Sequence, residues 1–457
     1  MRLGAVWGVL GLAVAIWLPS ASPQPIAPPS PPTYVAATAW NASAIVRWQR
    51  PPATGGSPIA SYRVVARPGG IAAVFSAGQT WGKVSRLKNG VSYTFTVTAV
   101  NQAKRRSLPS VASNPVSPQL VAIHVRGNQL VNASGQNMRL FGVNRSGTEY
   151  ACVVGGTAGS GIFDGPSDAA SIATMASWHI NAVRVSLNED CWLGINGVNP
   201  AYGGLNYQSA IGTYVASLNA AGLVAILDLH WNAPGSVLAD GQQVMADADH
   251  SPAFWASVAT HFKDNPGVIF DLYNEPGSIS WDCWRNGCPT PDGWRTAGMQ
   301  SLVDAVRRAG AAQPIMVGGV THANDLSSWL AHRLNDPLGQ LIASVHVYDA
   351  GRPPQYCSTV ACWNRMLAPV AKKVPVVTGE LGEHDRASDF ITSYMRWSDE
   401  QSLRHRSVSY LAFSWDAALG EGGPSLIQSW DGTPTSFGLG FRTYLEKLFR
   451  RGQIYEG

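Results

Sequence analysis

From Arg139 onward, apolar strand-forming runs alternate with stretches of helical spacing. Eight runs can be counted: Arg139–Asn144, Ala182–Ser186, Val224–His230, Val268–Glu275, Pro314–Gly318, Ile342–Tyr348, Val374–Glu380 and Tyr410–Trp415. Most are apolar at consecutive positions, as strands buried on both faces of a parallel sheet must be. Between them, Asp168–Trp178 and Ser301–Ala309 carry apolar residues at helical spacing. Eight strand-helix units in about 330 residues suit a closed TIM (β/α)8 barrel with decorated loops. A doubly wound open sheet is the alternative. It usually shows a glycine-rich phosphate loop after its first strand, and Gly142-Val143-Asn144 is not one. Ahead of the first run, Val125–Leu130 and Asn137–Phe141 flank the turn Ala133-Ser134-Gly135. That pattern predicts a hairpin closing the bottom of the barrel.

In such a barrel the C-terminal strand ends share one face, where chemistry is done. The polar residues at these ends are Arg184, Asp228, His230, Asn274, Glu275, His346, Tyr348 and Glu380, with Trp415 beside them. Any one alone could be structural. Two of the runs end in a carboxyl, at Glu275 in Asn274-Glu275-Pro276 and at Glu380 in Thr378-Gly379-Glu380. Retaining hydrolysis of a glycosidic bond needs two carboxyls, one to protonate the leaving oxygen and one to attack the anomeric carbon.

The ordered set Ala182-Val183-Arg184-Val185, Asp228-Leu229-His230-Trp231, Tyr273-Asn274-Glu275-Pro276, His346-Val347-Tyr348, Gly379-Glu380 and Ser414-Trp415 resembles family-five glycoside hydrolases, particularly bacterial secreted endoglucanases. The resemblance spans about Gln119 to Arg450. It implies a cellulase that cuts β-1,4-glucan by double displacement. Chemistry and resemblance agree on the roles. Glu380 is the nucleophile, with Arg184 favouring its charged form and Tyr348 donating to it. Glu275 is the acid/base, its proton retained through the nearby charge of Glu380. Asn274 holds the 2-hydroxyl of the reacting sugar, while His230 and His346 bind hydroxyls or orient the carboxylates. Trp415 is expected as the floor under that sugar, and Tyr150 and Trp231 as groove residues. A β-mannanase or xyloglucanase of the same family is the nearest alternative. A glycan-binding or adhesive protein with an inactive barrel is the more distant one.

The N-terminal third reads differently. Residues 1–24 have the pattern of a signal peptide, with Arg2, the uncharged apolar run Leu3–Leu18 and the small residues Ser20-Ala21-Ser22. The proline-rich stretch 25–32 is expected to be a stiff linker. Residues 33–118 hold short alternating strands, clearest at Tyr93–Val100, where Tyr93, Phe95, Val97 and Ala99 share one face. Short strands with frequent turn signals imply a β-sandwich. With Trp48 in the core position and Leu87–Tyr93 as a tyrosine corner, this segment resembles a fibronectin type III module. Residues 119–457 are then the barrel domain.

Charged residues make up 14% and net charge is +4, with no basic stripe, so a nucleic-acid partner is not expected. Seventeen Trp suggest sugar-stacking rings as well as core; Trp192, Trp281, Trp284, Trp294 and Trp430 are further groove candidates. Six cysteines suit an exported chain, and proximity pairs Cys283 with Cys288 and Cys357 with Cys362, leaving Cys152 for Cys191. No metal-binding spacing is present, so neither metal nor cofactor is expected. His384 and Asp385 read as loop polars. The protein is expected to be secreted, monomeric and, once the leader is removed, not inserted in a membrane.

Overall fold

The computed structural model describes residues 25–40, 42–118, 121–155, 161–349, 357–384, 387–418 and 424–451. The expected leader, 1–24, and Asp385 lie outside them. Among the described residues, no helix is long and apolar enough to cross a membrane. Two compact units divide the chain. One draws on residues before 38, on 45–84 and on 92–116; the other takes in 38–44, 85–91 and the residues from 117 onward.

Six strands form the N-terminal sandwich: β1 Thr33–Trp40, β2 Ser43–Gln49, β3 Ile59–Arg67, β4 Ala72–Ser76, β5 Trp81–Ser85 and β6 Thr94–Asn101. They make two three-stranded sheets, in the orders β1-β2-β5 and β4-β3-β6. Alternation drives burial in β6. Phe95, Val97 and Ala99 are buried and pair with Ala66, Val64 and Tyr62 of β3, while the threonines between them are half exposed. Trp48 is buried against Tyr62 and Phe75, with ring centroids 5.3 and 5.6 Å away. The stretch 25–32 corrects the linker reading. Ala27 N donates to Gly55 O and Ser30 N to Ala53 O, and Pro29 and Pro32 are buried. Its extended backbone offers open donors and acceptors, and the loop 53–55 takes them up.

Eight parallel strands close the barrel: β10 Phe141–Arg145, β11 Ala182–Asn188, β12 Val224–Trp231, β13 Val268–Asp271, β14 Ile315–Gly318, β15 Leu341–Tyr348, β16 Val376–Gly382 and β17 Val408–Ala412. Closure comes from β17 pairing back onto β10, Phe141 opposite Tyr410. An open sheet is thereby excluded. Of the named hairpin segments, β7 Ile123–Arg126 and β8 Gln129–Asn132 split the run expected as one strand, because Gly127 and Asn128 form its turn. With β9 Asn137–Met138 they make a small antiparallel sheet. Ile123, Val125 and Leu130 pack with Leu140, Val224, Ile226, Ile269, Met316, Ile342 and Leu411, which plugs the barrel end where the strands begin.

Two strands end sooner than their apolar runs. Beyond Asp271, Leu272 N still donates to Met316 O of β14, but Asn274 N donates to Leu229 O of β12. The chain thus leaves its ladder before Asn274 and Glu275. Beyond Ala412, Phe413 N donates to Leu381 O and Trp415 N to Asn144 O.

Candidate active site

Arg184 is the hub. It is the third residue of β11, fully buried, with its guanidinium inside the barrel mouth. Nε donates to Asp271 Oδ2 at 2.9 Å, Nη1 to Glu380 Oε1 and Asn144 Oδ1 at 3.0 Å, and Nη2 to Asn274 Oδ1 at 2.9 Å. Asp228 Oδ1 completes the set at 3.0 Å from Nη2. Five partners in fixed directions are what a planar fork of donors can serve and an ammonium cannot. Burial alone would lower the Arg184 pKa, but Asp228, Asp271 and Glu380 outweigh it, so the side chain stays charged. Burial pushes Asp271 up to about 6, against the pull of Arg184.

Glu380 sits on β16 at a break in register. Val345 pairs with Thr378, then His346 pairs with Glu380, leaving Gly379 as the extra residue. Such a bulge re-aims the side chain that follows it. Glycine is required there, since a Cβ on Gly379 would stand 2.9 Å from Ser344 Oγ and 3.0 Å from His346 Nε2. At Gly382 a Cβ would overlap the Tyr348 ring, 2.2 Å away. That bare backbone lets Tyr348 lie across β16 and donate Oη to Glu380 Oε2 at 2.6 Å. Burial, and then the Glu380 charge, raise the Tyr348 phenol far above its ordinary value, so it donates throughout the neutral range.

Glu275 enters from the loop after β13. Its Oε1 lies 2.9 Å from His346 Nδ1, and the same nitrogen is 3.5 Å from Glu380 Oε2. Oxygens of the two carboxyls lie within 4.8 Å of each other. His322 Nδ1 stands 3.6 Å from Glu275 Oε2. Burial would raise the Glu275 pKa, but the His322 and then the His346 imidazole beside it outweigh burial and hold the carboxyl well below its usual range. The expectation placed only the Glu380 charge beside Glu275; two imidazoles face it as well. His322 is raised in turn, first by its contact with the Glu275 carboxyl, with burial opposing.

His230 lines the same pocket, with Nδ1 2.6 Å from Asp228 Oδ2. Burial would lower its pKa, but Asp228 carries it to about 9. The pocket holds about 570 Å3 and is lined by His230, Asn274, Glu275, His346, Tyr348 and Glu380 among others. Sequence reasoning missed five of its residues, Gln242, His322, Asn324, Phe413 and Pro424. Gln242 accepts from Asn274 Nδ2 and donates Nε2 to Glu275 O at 2.9 Å; nothing in a loop glutamine signals that. His322 follows β14, outside the apolar run. Phe413 lies in the run Tyr410–Trp415, but nothing local separates it from Trp415 two residues on. His384, read as a loop polar, also lines the pocket, with Nδ1 2.8 Å from Asp349 Oδ1.

The aromatic expectations fare worse. Trp415 is only 1% exposed and meets Trp178 edge-on at 4.7 Å, so its face is not offered to a sugar; the half-buried Phe413 lines the pocket instead. Tyr150 and Trp231 are half buried and lean on each other at 6.2 Å, outside the pocket lining. The Tyr150 Oη donates to Asp164 Oδ2 at 2.7 Å. Trp192 and Trp284 are wholly buried core, Trp281 stacks on His332, and Trp430 lies under Arg145. Large flat rings bury well whatever their function, which is why position in sequence did not sort them.

Disulfides join Cys152 to Cys191, Cys283 to Cys288 and Cys357 to Cys362. Among the described residues, two groups of side chains have the geometry to hold an ion: Glu275, His346 and Glu380 in the pocket, and Glu189, Asp247 and His250 elsewhere.

With this geometry in place, comparison with known proteins identifies the class. Residues 131–419 match the model of Cellulase (glycosyl hydrolase family 5), and residues 30–113 match the fibronectin type III domain. The chain belongs to glycosyl hydrolase family 5. Among its relatives is the manganese dependent endoglucanase Eg5A of Phanerodontia chrysosporium, 27% identical over 256 residues, 50% of this chain and 58% of that one. An endoglucanase of Paenibacillus polymyxa is 27% identical over 265 residues, 51% and 63% of the two chains. The chain thus spans less than two thirds of either relative. In structure it is similar to the β-glucanase SdGluc5_26A of Saccharophagus degradans, with TM-score 0.53 and 18% identity over 72% of this chain and 94% of that one. That β-glucanase has also been crystallised with cellotetraose.

Proposed function

We propose that the chain is a secreted endo-β-1,4-glucanase that hydrolyses with retention of anomeric configuration. One observation carries this reading: Glu275 and Glu380 face each other within 4.8 Å over one pocket. That is room for one anomeric carbon and too little for the extra water an inverting pair admits. The endoglucanase names of the relatives, and the cellotetraose bound by a protein of like fold, support a β-glucan substrate.

In this reading Glu380 attacks the anomeric carbon, steadied by Arg184 and Tyr348. The leaving oxygen takes a proton from Glu275. The imidazoles that face Glu275 hold its carboxyl below its usual range, so the proton is carried on His322, whose pKa is raised, and passes to the carboxyl as sugar displaces water. When the covalent intermediate forms, Glu380 loses its charge. Glu275 then takes a proton from water as the water attacks, and the sugar leaves with its original configuration. Asn274, aligned by Arg184 and Gln242, binds the 2-hydroxyl, where hydrogen bonding strengthens in the transition state.

Proton NMR of fresh hydrolysate tests the mechanism: β-anomer first supports it, and α-anomer first overturns it. Carboxymethylcellulose, mannan and xyloglucan assayed side by side test the substrate, with faster turnover of either of the last two replacing the glucanase reading. N-terminal sequencing of protein recovered from culture medium tests secretion and removal of the 1–24 leader. A single species of monomer mass in solution is expected by scattering.

A further inference from the structure

We propose that Glu189, Asp247 and His250 form a binding site for one divalent metal ion of the Mn2+ or Zn2+ kind. The site is separate from the catalytic pocket. Glu189 opens the helix Glu189–Leu193 directly after β11, and Asp247 and His250 lie on the segment between β12 and the helix Ser251–Phe262. His250 Nδ1 stands 3.9 Å from Glu189 Oε1 and 4.0 Å from Asp247 Oδ1. Ligand atoms of all three lie within 4.8 Å of one another. A point equidistant from three atoms with these separations is at most about 2.5 Å from each, near the bond lengths such ions take with oxygen and nitrogen.

The second observation is an orphan. Glu189 is wholly buried, yet its Oε1 has no hydrogen-bond partner. A buried carboxylate oxygen ordinarily has one. Its twin Oε2 accepts from Ser251 Oγ at 2.5 Å, and Asp247 Oδ2 accepts from Asn232 Nδ2 at 2.7 Å. These donors hold one oxygen of each carboxylate and leave Glu189 Oε1 facing the imidazole. Asp247 Oδ1 accepts from His250 N at 2.7 Å and, at a long 3.4 Å, from Ser251 N, a contact that an ion could replace. Among the described residues neither carboxylate is paired with a Lys or Arg; the half-exposed imidazole is their one ion-pair contact. Two carboxyls buried side by side are relieved by a cation between them, and oriented outer donors are how metal sites are built. His250 Nδ1 is 3.4 Å from Ala233 O, so a metal would take this nitrogen in place of a weak contact.

The location gives the ion a task. Asn232 Oδ1 accepts from Tyr273 Oη at 2.9 Å, and Tyr273 Oη also reaches Gln243 O at 2.7 Å. Tyr273 precedes Asn274 and Glu275, and Gln243 follows the Gln242 that holds both. An ion at Asp247 therefore braces the loop that positions the acid/base.

The full-length protein, stripped with a chelator, is titrated with Mn2+ by calorimetry and by thermal melting. One ion per chain is expected, raising the melting midpoint by about 5 °C at a hundredfold excess over Kd. Glu189→Gln and the half-exposed His250→Ala should each weaken binding at least tenfold. Glu380→Gln should leave it intact, which separates this site from the pocket carboxyls. Two results overturn the proposal: no stoichiometric Mn2+ or Zn2+ binding by the wild type, or binding that survives Glu189→Gln and His250→Ala but is lost in Glu380→Gln. A rise in metal-free stability on Glu189→Gln, without metal binding by the wild type, would show that a shared proton fills the gap.

Discussion

The two ends of the barrel are made from the same eight strands and have opposite characters. At the end where strands begin, Ile226, Ile269, Met316 and Ile342 meet Ile123, Val125 and Leu130 in an apolar plug. At the end where they finish, Arg184, Asp228, Asp271 and Glu380 lie buried in one charged network. Burial is equally complete at both ends, but its energetics are not. Apolar burial is favourable by area alone and tolerates modest reshaping. A buried charge is tolerated only while every partner remains, so one loss leaves the others uncompensated. The lesson is a division of labour: the plug contributes stability, and the mouth gives some of it up for chemistry.

The sharpest way to break this comparison is Glu380→Gln, which should lower kcat at least about 10⁴-fold while the melting midpoint moves little. Glu275→Gln should behave alike on natural substrate. An unfolded Gln variant would mean the mouth is structural after all. Arg184→Ala comes next, because it strips five carboxyl and amide partners at once. It should cost about 3–5 kcal/mol in urea unfolding and also abolish turnover. At the opposite end, Leu130→Ala should cost about 2–4 kcal/mol and leave kcat unchanged; a large loss of kcat would erase the contrast. Gly382→Ala pushes the Tyr348 ring off Glu380, and a fall in kcat of about 10- to 100-fold with KM nearly constant is expected.

The smallest effects are in pH dependence. The His230 pKa is raised to about 9, so its pairing with Asp228 contributes stability that is full below about pH 6.5. That contribution is lost as pH rises through about 9, and Asp228→Asn should flatten this part of the urea-midpoint profile. His322→Ala should move the alkaline limb of the kcat/KM profile to lower pH, since Glu275 would then lose its proton without the imidazole that replenishes it. An unchanged limb would remove His322 from the proton path.

Much of the barrel was legible because its signals are local. Each of the eight apolar runs became a strand, and the alternation in β6 placed its own core face. The misreadings share a cause. The apolar run through Leu272 and Tyr273 looks like more strand, yet the ladder ends at Asp271, where the chain changes hydrogen-bond partner. Trp415 and Phe413 sit two residues apart, and only the packing against Trp178 shows which ring is spent on the core. Gln242, His322 and the trio Glu189, Asp247 and His250 carry no local pattern at all.

The order of residues alone was enough to set the alternation of strands and helices, the two carboxyls at run ends and the glycines beside Glu380, because backbone propensity and burial act on near neighbours. Which carboxyl faces which imidazole, which aromatic ring reaches the pocket and where buried charge goes unbalanced depended on closure of the barrel. Those are distances between segments tens to hundreds of residues apart, and only the packed chain brings them into range.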